Sequence, residues 1–377
     1  MKAERFIEEI KKIGINTVVG VPDSTLKQFC DYINTDGADK IRHMVPPNEG
    51  AAIGIATGVY LATGHPACVY MQNSGLGNTV NPITSLANEK VYDIPMLLVI
   101  GYRGEPGVHD EPQHVFMGEI TEDILKVLNI EYSIISADTK EDELCRILSK
   151  ASELMSDNRQ YAIIVKKDTF EKRAGQKYDN GYDFVREDAI KLILENLRED
   201  DFVVSTTGKI SREVYEEADK VCGQHMQEFL TVGGMGHASM IAVGIADNHP
   251  DRKVVCIDGD GAVLMHMGSL AFVGKCAHKN LIHFCINNEA HESVGGMPTG
   301  AVGQSYAEVA KVCGYKKVYA TDNGDELKTI LKEAWNEEGP VFIEIKVSMY
   351  SRDDLGRPKE SAAENKKNFM KYHGIIQ

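Results

Sequence analysis

The sequence predicts an α/β protein built from two homologous, doubly wound parallel sheets. Short apolar runs alternate with helical patterns along all 377 residues, and this alternation is typical of parallel sheets. A polar stretch without periodicity, residues 167–184, divides the chain near its middle. The alternation then starts afresh, so we expect one sheet in each half.

The first half opens with a charged amphipathic helix and continues with alternating strands and helices. The apolar runs predict strands at 17–21, 41–45, 67–71, 96–100 and 161–165. The intervening patterns predict helices at 25–33, 49–61, 79–88, 116–128 and 140–156.

The second half repeats this arrangement. Strands are expected at 202–205, 227–231, 254–257, 281–286, 317–319 and 341–346. Helices are expected at 186–196, 211–218, 237–247, 264–277, 307–313 and 325–337. A polar tail follows from residue 348.

The two halves also resemble each other in sequence. Residues 50–64 and 236–250 are helical segments rich in small residues, and each leads to an apolar strand and a polar glycine turn. The helix after each turn contains Ser-Leu-Ala, at Ser85 and at Ser269. These echoes indicate a duplication, although shared α/β sequence patterns would produce some of them.

Composition excludes several classes of function. A net charge of −15 argues against general nucleic-acid binding, which needs a basic face. The eight cysteines stand singly, without zinc-ligand or redox spacing, and suit a reducing compartment. The charged N-terminal helix is not a signal peptide, and no apolar run approaches the roughly 20 residues of a membrane span. We expect a cytoplasmic protein.

The most informative stretch is 254–288. It contains a strand, the turn Asp258-Gly259-Asp260-Gly261, a helix, a second strand and the pair Asn287-Asn288, with 25 residues between Gly261 and Asn287. Parallel strands joined by a crossover helix end at one edge of a sheet, so the acid and the amide should lie close together. Oxygen ligands beside glycines suit a magnesium diphosphate. Each motif alone is also an ordinary turn.

This spacing and its context resemble the thiamine diphosphate-dependent decarboxylase superfamily, and the resemblance implies the thiamine diphosphate-binding fold. It implies that the side chains of Asp260 and Asn288 and the backbone carbonyl of Ala290 bind Mg²⁺. It further implies that Gly261, Ala262 and the turn with Thr207 and Gly208 contact the cofactor.

A second motif lies in the other half. Glu49, in HMVPPNEGAAIG, begins a helix after a short strand, as the glutamate that activates the cofactor does in this superfamily. A helix-start acid that only stabilises the helix dipole is the alternative. The resemblance also implies that Gly233 and His291 contact the cofactor and that Met235 holds it bent. A site that needs both halves implies, in this superfamily, a homodimer or larger homo-oligomer with active sites between subunits.

The chain is short for the superfamily, whose larger members carry a middle domain. It is similar to the compact two-domain branch, the phosphonopyruvate and sulfopyruvate decarboxylases, over nearly its whole length. The branch motifs are Gly20-Val21-Pro22-Asp23-Ser24, Gln72-Asn73-Ser74-Gly75, Gly101-Tyr102-Arg103-Gly104, His109-Asp110-Glu111-Pro112 and His291-Glu292-Ser293-Val294-Gly295. The implied division is a pyrimidine-binding domain (1–166), a linker (167–184), a diphosphate- and Mg²⁺-binding domain (185–347) and a C-terminal tail (348–377).

The resemblance implies non-oxidative decarboxylation of 3-phosphonopyruvate to phosphonoacetaldehyde and carbon dioxide, in phosphonate biosynthesis. Candidate acid–base residues besides Glu49 are Asp23, His109, His114 and His291, although each histidine would also suit a solvated loop. Binding of the phosphonate needs cationic or amide donors. The candidates are Ser24, Asn73, Asn78, Arg103, Arg352 and Arg357. The alternative for the last two is a surface tail paired with Asp353 and Asp354.

Three rival functions remain. A sulfopyruvate decarboxylase would run the same chemistry on a sulfonate. An NAD-dependent oxidoreductase would use Gly234 and Gly236 for the dinucleotide and Asp258 for the ribose, but it leaves Glu49 and the asparagine pair unexplained. A non-catalytic binding protein would lack Glu49 or the metal ligands, and both are present.

Overall fold

The structure is a computed structural model that describes residues 1–300 and 302–377. The chain forms two compact units, Met1–Lys177 and Tyr178–Gln377. The boundary between the units falls inside the predicted linker. Among the described residues, no helix is both long enough and apolar enough to cross a membrane.

The first unit is a six-stranded parallel sheet flanked by helices. Its strands are β1 (Thr17–Gly20), β2 (Arg42–Met44), β3 (Ala67–Gln72), β4 (Met96–Gly101), β5 (Glu131–Ile135) and β6 (Gln160–Val165). Its helices are α1 (Ala3–Lys12), α2 (Lys27–Asn34), α3 (Glu49–Thr63), α4 (Leu76–Pro82), α5 (Pro112–Val127) and α6 (Glu141–Ser156). The central strands β3 and β4 are almost wholly buried, as expected for a parallel sheet covered on both faces.

The second unit also contains a six-stranded parallel sheet. Its strands are β7 (Phe202–Ser205), β8 (Glu228–Leu230), β9 (Val254–Gly259), β10 (Leu281–Asn287), β13 (Lys317–Thr321) and β14 (Val341–Lys346), beside a short antiparallel pair, β11 (Ala290–His291) and β12 (Met297–Pro298). Its helices are α7 (Arg186–Glu195), α8 (Lys209–Cys222), α9 (Ala238–Asn248), α10 (Asp260–Met265), α11 (Gly268–Cys276), α12 (Tyr306–Val312), α13 (Gly324–Ala334) and α14 (Ala362–Tyr372).

The two large sheets have the same topology. The first has the order β2-β1-β3-β4-β6-β5, and the second, taken from its other edge, has β8-β7-β9-β10-β14-β13. If the six strands of each sheet are numbered separately, both orders are 2-1-3-4-6-5. The prediction of two homologous, doubly wound sheets is confirmed.

This topology decides where the loops meet. In each sheet the strand order reverses between the first and third strands, which are β1 and β3 in one unit and β7 and β9 in the other. Ligands of open α/β sheets bind beyond the carboxyl ends of strands at such a reversal. In the first unit the loops at this edge carry Asp23, Asn73 and Arg103, and in the second they carry Thr207 and Asp260.

Several features differ from the predicted elements. α5 begins at Pro112, four residues earlier than predicted, and the pair β11–β12 was not predicted. β5 was not predicted, because its half-exposed, partly polar edge residues lack an apolar run. The helix predicted at 264–277 is interrupted near His266, so α10 and α11 are separate. The helix predicted at 79–88 begins earlier, at Leu76, and ends in a π-helical turn, Ile83–Ala87. The polar tail contains α14, which begins with a Ser361–Glu364 capping box.

Candidate active site

The predicted metal residues follow two adjacent strands, as expected. β9 and β10 pair in parallel, with Gly259 beside Ile286, so Asp260 and Asn288 come from neighbouring strand ends. Asp260 is 4% exposed, and its Oδ2 atom has no hydrogen-bond partner among the described residues. Burial raises the pKa of Asp260 to about 7, and a bound cation would oppose this effect. A buried carboxylate oxygen without a partner fits a metal ligand.

The loop after β10 is fixed by side-chain hydrogen bonds. The Asn287 amide donates to Glu344 Oε1 (2.9 Å), and its Oδ1 accepts from the Glu289 backbone (3.0 Å). Asn288 Oδ1 accepts from the backbone N–H of Ala290 (3.2 Å). Carboxylate, amide and backbone carbonyl oxygens are the donors that Mg²⁺ takes from proteins, so Asp260, Asn288 and Ala290 suit it chemically.

Three predicted cofactor residues lie together around Gly261. A Cβ atom on Gly261 would lie 3.3 Å from Met235 Cε and 3.8 Å from the His291 ring. The absence of a side chain therefore leaves space beside Met235 and His291. Burial lowers the pKa of His291 to about 4, so its imidazole is neutral at pH 7. Ala262 is buried in the same short helix, α10.

The turn after β7 presents a helix N-terminus. Gly208 has φ 90° and ψ −139°, a conformation that L side chains rarely adopt, and α8 begins directly after it. Thr207 Oγ1 donates to the carbonyl of Val232 (2.9 Å), which precedes Gly233. This ties the turn after β7 to the turn after β8, which also carries Met235. Backbone N–H groups at such a helix start favour a phosphate.

Glu49 is buried at the first position of α3, in the first unit. Its Oε2 accepts a hydrogen bond from the Asn78 amide (2.7 Å). A Cβ atom on Gly75 would lie only 2.5 Å from Glu49 Oε1, so this glycine makes room for the carboxylate. The sequence predicts only that Gly75 lies in a turn, and its spacing from Glu49 gives no sign of this contact.

Asp23, Ser24 and Arg103 come together beyond β1 and β4. Arg103 donates from Nε and Nη2 to both oxygens of Asp110 (2.7 and 2.5 Å) and from Nη1 to Ser24 Oγ (3.0 Å). The hydrogen bond from Arg103 contributes most to lowering the pKa of Asp110, to about 2. Asp110 was not among the predicted functional residues, because nothing in the sequence showed that it would face Arg103.

Asp23 is 1% exposed, and its Oδ1 has no partner among the described residues. Burial raises the pKa of Asp23 to about 6, although the Leu26 backbone N–H and the Arg103 charge oppose this rise. The nearby His114 has a pKa lowered to about 4, chiefly by burial and further by Arg103. His109 lies exposed in the loop between β4 and α5.

Two predicted substrate donors have other partners. The Asn73 amide donates to the Arg103 carbonyl (2.7 Å) and to Thr121 Oγ1 (2.9 Å), so it holds the Arg103 loop. Asn78 binds Glu49.

Arg352, in the second unit, pairs with Glu187, Glu216 and Asp354, while Arg357 is exposed. Arg103, in contrast to Arg352, contacts another predicted site residue, Ser24.

The dinucleotide alternative does not fit the position of Asp258. This residue lies within β9 and is 1% exposed, and its carboxylate faces the buried His283 at 3.6 Å. Cys256 lies close to the same pair, and ligand atoms of the three residues are within 4.8 Å of one another. A buried acid in this position cannot reach the ribose of a dinucleotide.

Both halves of the chain are similar to known proteins. Residues 2–127 match the N-terminal and residues 208–345 the C-terminal TPP binding domain of thiamine pyrophosphate enzymes. The chain is 37% identical to a phosphonopyruvate decarboxylase of Streptomyces viridochromogenes, over 98% of this chain and 94% of the relative. The chain belongs to the phosphonopyruvate decarboxylase family. It therefore has two thiamine diphosphate-binding domains and no middle domain.

Other relatives extend this comparison. A phosphonopyruvate decarboxylase of Streptomyces hygroscopicus is 34% identical over 99% of this chain and 94% of its own length. A sulfopyruvate decarboxylase of Methanosarcina acetivorans is 27% identical over 82% of each chain. The phosphonopyruvate decarboxylases are thus more similar to this chain, and over more of it, than that sulfopyruvate decarboxylase.

Proposed function

We propose that the chain is a carboxy-lyase that converts 3-phosphonopyruvate into phosphonoacetaldehyde and carbon dioxide. The proposed reaction requires thiamine diphosphate and Mg²⁺ and belongs to the biosynthesis of phosphonates such as 2-aminoethylphosphonate. The observation that carries the proposal is similarity to two phosphonopyruvate decarboxylases over at least 98% of this chain.

The metal and the diphosphate would be held by the second unit. Asp260, Asn288 and the Ala290 carbonyl would bind Mg²⁺, and the partnerless Oδ2 of Asp260 supports this assignment. The diphosphate would lie against Thr207, Gly208, Gly261 and Ala262. When bound, thiamine diphosphate supplies the electron sink for loss of carbon dioxide.

Glu49 would exchange a proton with the aminopyrimidine of the cofactor. Its carboxylate is buried and held by Asn78, so its position is fixed before any ligand arrives. Gly233, Met235 and His291 would contact the cofactor from the second unit. A positioned acid or base of this kind contributes roughly 10²–10⁴-fold to a rate.

Arg103 would bind the phosphonate. Asp110 holds one edge of its guanidinium through Nε and Nη2, and Nη1 is directed to the Ser24 hydroxyl, so Arg103 and Ser24 offer adjacent donors. A planar guanidinium suits a tetrahedral anion. The Asn73 amide donates to the Arg103 carbonyl and so holds this loop. Arg352 and Arg357 remain proposed contacts with less support.

Asp23 would supply the proton that replaces the carboxylate. With its pKa near 6, it is partly protonated close to neutral pH, as a general acid must be. His114 and His291 are neutral at pH 7 and would act as hydrogen-bond donors or proton relays. His109 is exposed and is the least supported of the four.

Sulfopyruvate is the second candidate substrate, because Arg103 and Ser24 would also bind a sulfonate. A phosphonate can carry a second negative charge, whereas a sulfonate carries one. Additional cationic contacts in the site would therefore favour the phosphonate. The family membership favours phosphonopyruvate. Parallel assays with both substrates separate the two, and a higher kcat/KM for sulfopyruvate would contradict the proposal.

The central experiment measures carbon dioxide release from phosphonopyruvate by wild-type protein and by Glu49→Gln. We expect the rate to fall about 10²–10⁴-fold, because the amide cannot exchange the proton. Glu153→Gln, on the exposed face of α6, is the matched control and should leave the rate unchanged. Equal rates for wild type and Glu49→Gln would discard the mechanism.

We further propose a homodimer or larger homo-oligomer in the cytoplasm. Exposed aromatic side chains such as Tyr92 and Phe116, each 67% exposed, support an interface on the first unit. All eight cysteines lie within the described residues and are free, which supports a reducing compartment.

A further inference from the structure

Glu292 lies four residues beyond the predicted metal ligand Asn288, and its side chain is only 5% exposed. Four donors converge on its carboxylate. Oε2 accepts from Asn288 Nδ2 (3.2 Å) and from Arg186, while Oε1 accepts from Lys209 Nζ (2.8 Å) and from the Ser351 backbone (2.6 Å). This carboxylate is therefore fully bonded within the protein and has no spare position for a ligand.

Arg186 is itself held in place. Its Nε and Nη2 atoms donate to both oxygens of Glu213 (2.6 and 2.7 Å), and the two side chains are 7% and 2% exposed. A guanidinium that one carboxylate binds along an edge through two parallel hydrogen bonds is not free to rotate away from a second carboxylate. Glu292 thus forms an ion pair with a fixed, buried cation and not with a mobile surface side chain.

The contact with Glu292 decides the orientation of the Asn288 amide. An ionised carboxylate only accepts hydrogen bonds, so the NH₂ end of Asn288 faces Glu292 and the oxygen faces the other way. That oxygen accepts from the Ala290 backbone and keeps a second lone pair. Rotation of the amide by half a turn would place two oxygens against each other.

We propose that Glu292, fixed by Arg186 and Lys209, is the positioning residue of the metal site. It directs the Asn288 oxygen toward Mg²⁺ without contacting the metal. The inference rests on the proposed function only through Mg²⁺ and thiamine diphosphate, and not through the identity of the substrate. Neither Glu292 nor Arg186 was among the predicted site residues.

The same network connects the two parts of the proposed cofactor site. Lys209 is the first residue of α8 and follows Gly208 directly. Its bond to Glu292 therefore joins the turn after β7, proposed to bind the diphosphate, to the loop after β10, proposed to bind the metal. The Ser351 backbone brings the C-terminal segment to the same carboxylate. Loss of Glu292 would release both connections together.

The test is titration of Mn²⁺ into protein with excess thiamine diphosphate, with unbound Mn²⁺ measured by electron paramagnetic resonance. Glu292→Gln keeps the size of the side chain but places an NH₂ group against other donors. We expect a 10- to 100-fold loss of Mn²⁺ affinity, the usual effect of removing a group that orients a ligand. Glu292→Asp keeps the charge and should lose less, and it keeps the test possible if the glutamine variant does not fold.

Arg186→Met should weaken Mn²⁺ binding in the same direction. The double variant with Glu292→Gln should lose less than the product of the two single effects, because both act through one contact. Glu228→Gln is the matched control, since Glu228 is an equally buried acid of the same unit that pairs with His225. It should bind Mn²⁺ like wild type.

Wild-type Mn²⁺ affinity in both Glu292→Gln and Glu292→Asp, even with a lowered melting temperature, would overturn the inference and leave Glu292 a purely structural role. Wild-type protein that binds no Mn²⁺ with thiamine diphosphate would overturn the inference and the proposed cofactor together. Wild-type protein that binds Mn²⁺ but releases no carbon dioxide from phosphonopyruvate would contradict the proposed substrate alone. In that case the loss of Mn²⁺ affinity in Glu292→Gln would still support the inference.

Discussion

Two buried carboxylates with opposite pKa shifts show how partners decide charge in this chain. Burial alone would raise the pKa of both Asp23 and Glu292. Arg186 and Lys209 outweigh this effect and hold the pKa of Glu292 at about 2. Asp23 has a backbone donor and a more distant arginine, so burial dominates and its pKa rises to about 6. Glu292 is therefore suited to orient a neighbour, and Asp23 to donate a proton.

The raised pKa of Asp23 predicts a pH-dependent stability. The folded state binds this proton more tightly than the unfolded state, whose pKa is near 3.8, so stability falls as pH rises from about 4 to above 6. Asp23→Asn removes this fall. It should stabilise the protein at pH 8 by on the order of 1–3 kcal/mol relative to wild type, and by less at pH 5.

Urea unfolding at pH 5 and at pH 8 measures the effect. Asp39→Asn, at an exposed aspartate of the same unit, is the control and should show no such pH-dependent gain. If Asp23→Asn changes stability equally at both pH values, the carboxyl group does not titrate in this range.

The proposed ligands could be predicted from the sequence more readily than the residues that would hold them in place. Asp260, Asn288 and Glu49 stand in motifs with a recognisable spacing, at strand ends or at a helix start. Glu292 is bonded to Arg186 and Lys209, which lie 106 and 83 residues away along the chain. Asp110 is only seven residues from Arg103, but the two side chains meet through the fold of an irregular loop. Such contacts depend on packing, which one sequence does not reveal.

At the level of elements, α5 lies unusually close to the loop that carries Arg103. A Cβ atom on Gly118 would lie 1.7 Å from the Gly104 carbonyl oxygen, and one on Gly104 would lie 1.9 Å from the His114 carbonyl oxygen. Both contacts are with backbone, which cannot move aside as a flexible side chain can. These two glycines therefore set the distance between the helix and the loop.

We expect Gly118→Ala to force α5 away from this loop. The free energy of unfolding should fall by about 1–3 kcal/mol or more, and KM for phosphonopyruvate should rise because Arg103 is displaced. Urea unfolding and steady-state kinetics measure the two effects.

Gly58→Ala, within α3, is the matched control. A Cβ atom there would meet nothing within 4 Å, so alanine should be neutral or stabilise by up to about 1 kcal/mol. A Gly118→Ala variant with the stability and KM of Gly58→Ala would contradict the close packing of α5.

Most elements could be predicted because parallel sheets place continuous apolar runs in their strands. β6 and β10 are such strands, and their predicted bounds differ by one residue from the observed ones. β5 lies at a sheet edge and is partly exposed, so its sequence is not apolar throughout. The start of α14 could have been predicted from Ser361 and Glu364, since this pair is a recognised capping signal.

At the level of the whole molecule, the shared strand order explains why the proposed site residues fall into two groups. Each sheet carries its group beyond the carboxyl ends of its strands, with Glu49, Asp23 and Arg103 in one unit and Asp260 and Asn288 in the other. The reversal of strand order lies near both groups. The shared topology thus gives the two units equivalent positions, which are occupied by different residues.

The proposed homo-oligomer predicts the behaviour of the chain on dilution. Sedimentation velocity should show a dimer or a larger species at micromolar concentration. Phe116→Glu should shift the distribution toward monomer, because it places a charge on an exposed apolar position of α5. Activity should decline with the fraction of oligomer, and a fully active monomer would contradict the proposal.

The connection between the units has a consequence for how such enzymes change in evolution. Arg173 is bonded to Gln28 and Thr35, and Asn180 donates to the carbonyls of Asn288 and Val347. Between them, residues 174–177 are exposed. New sequence inserted there would disturb neither set of bonds, so the segment is a natural acceptor for an additional module. Growth of the protein at this point would leave the loop after β10 and the loop that carries Arg103 as they are.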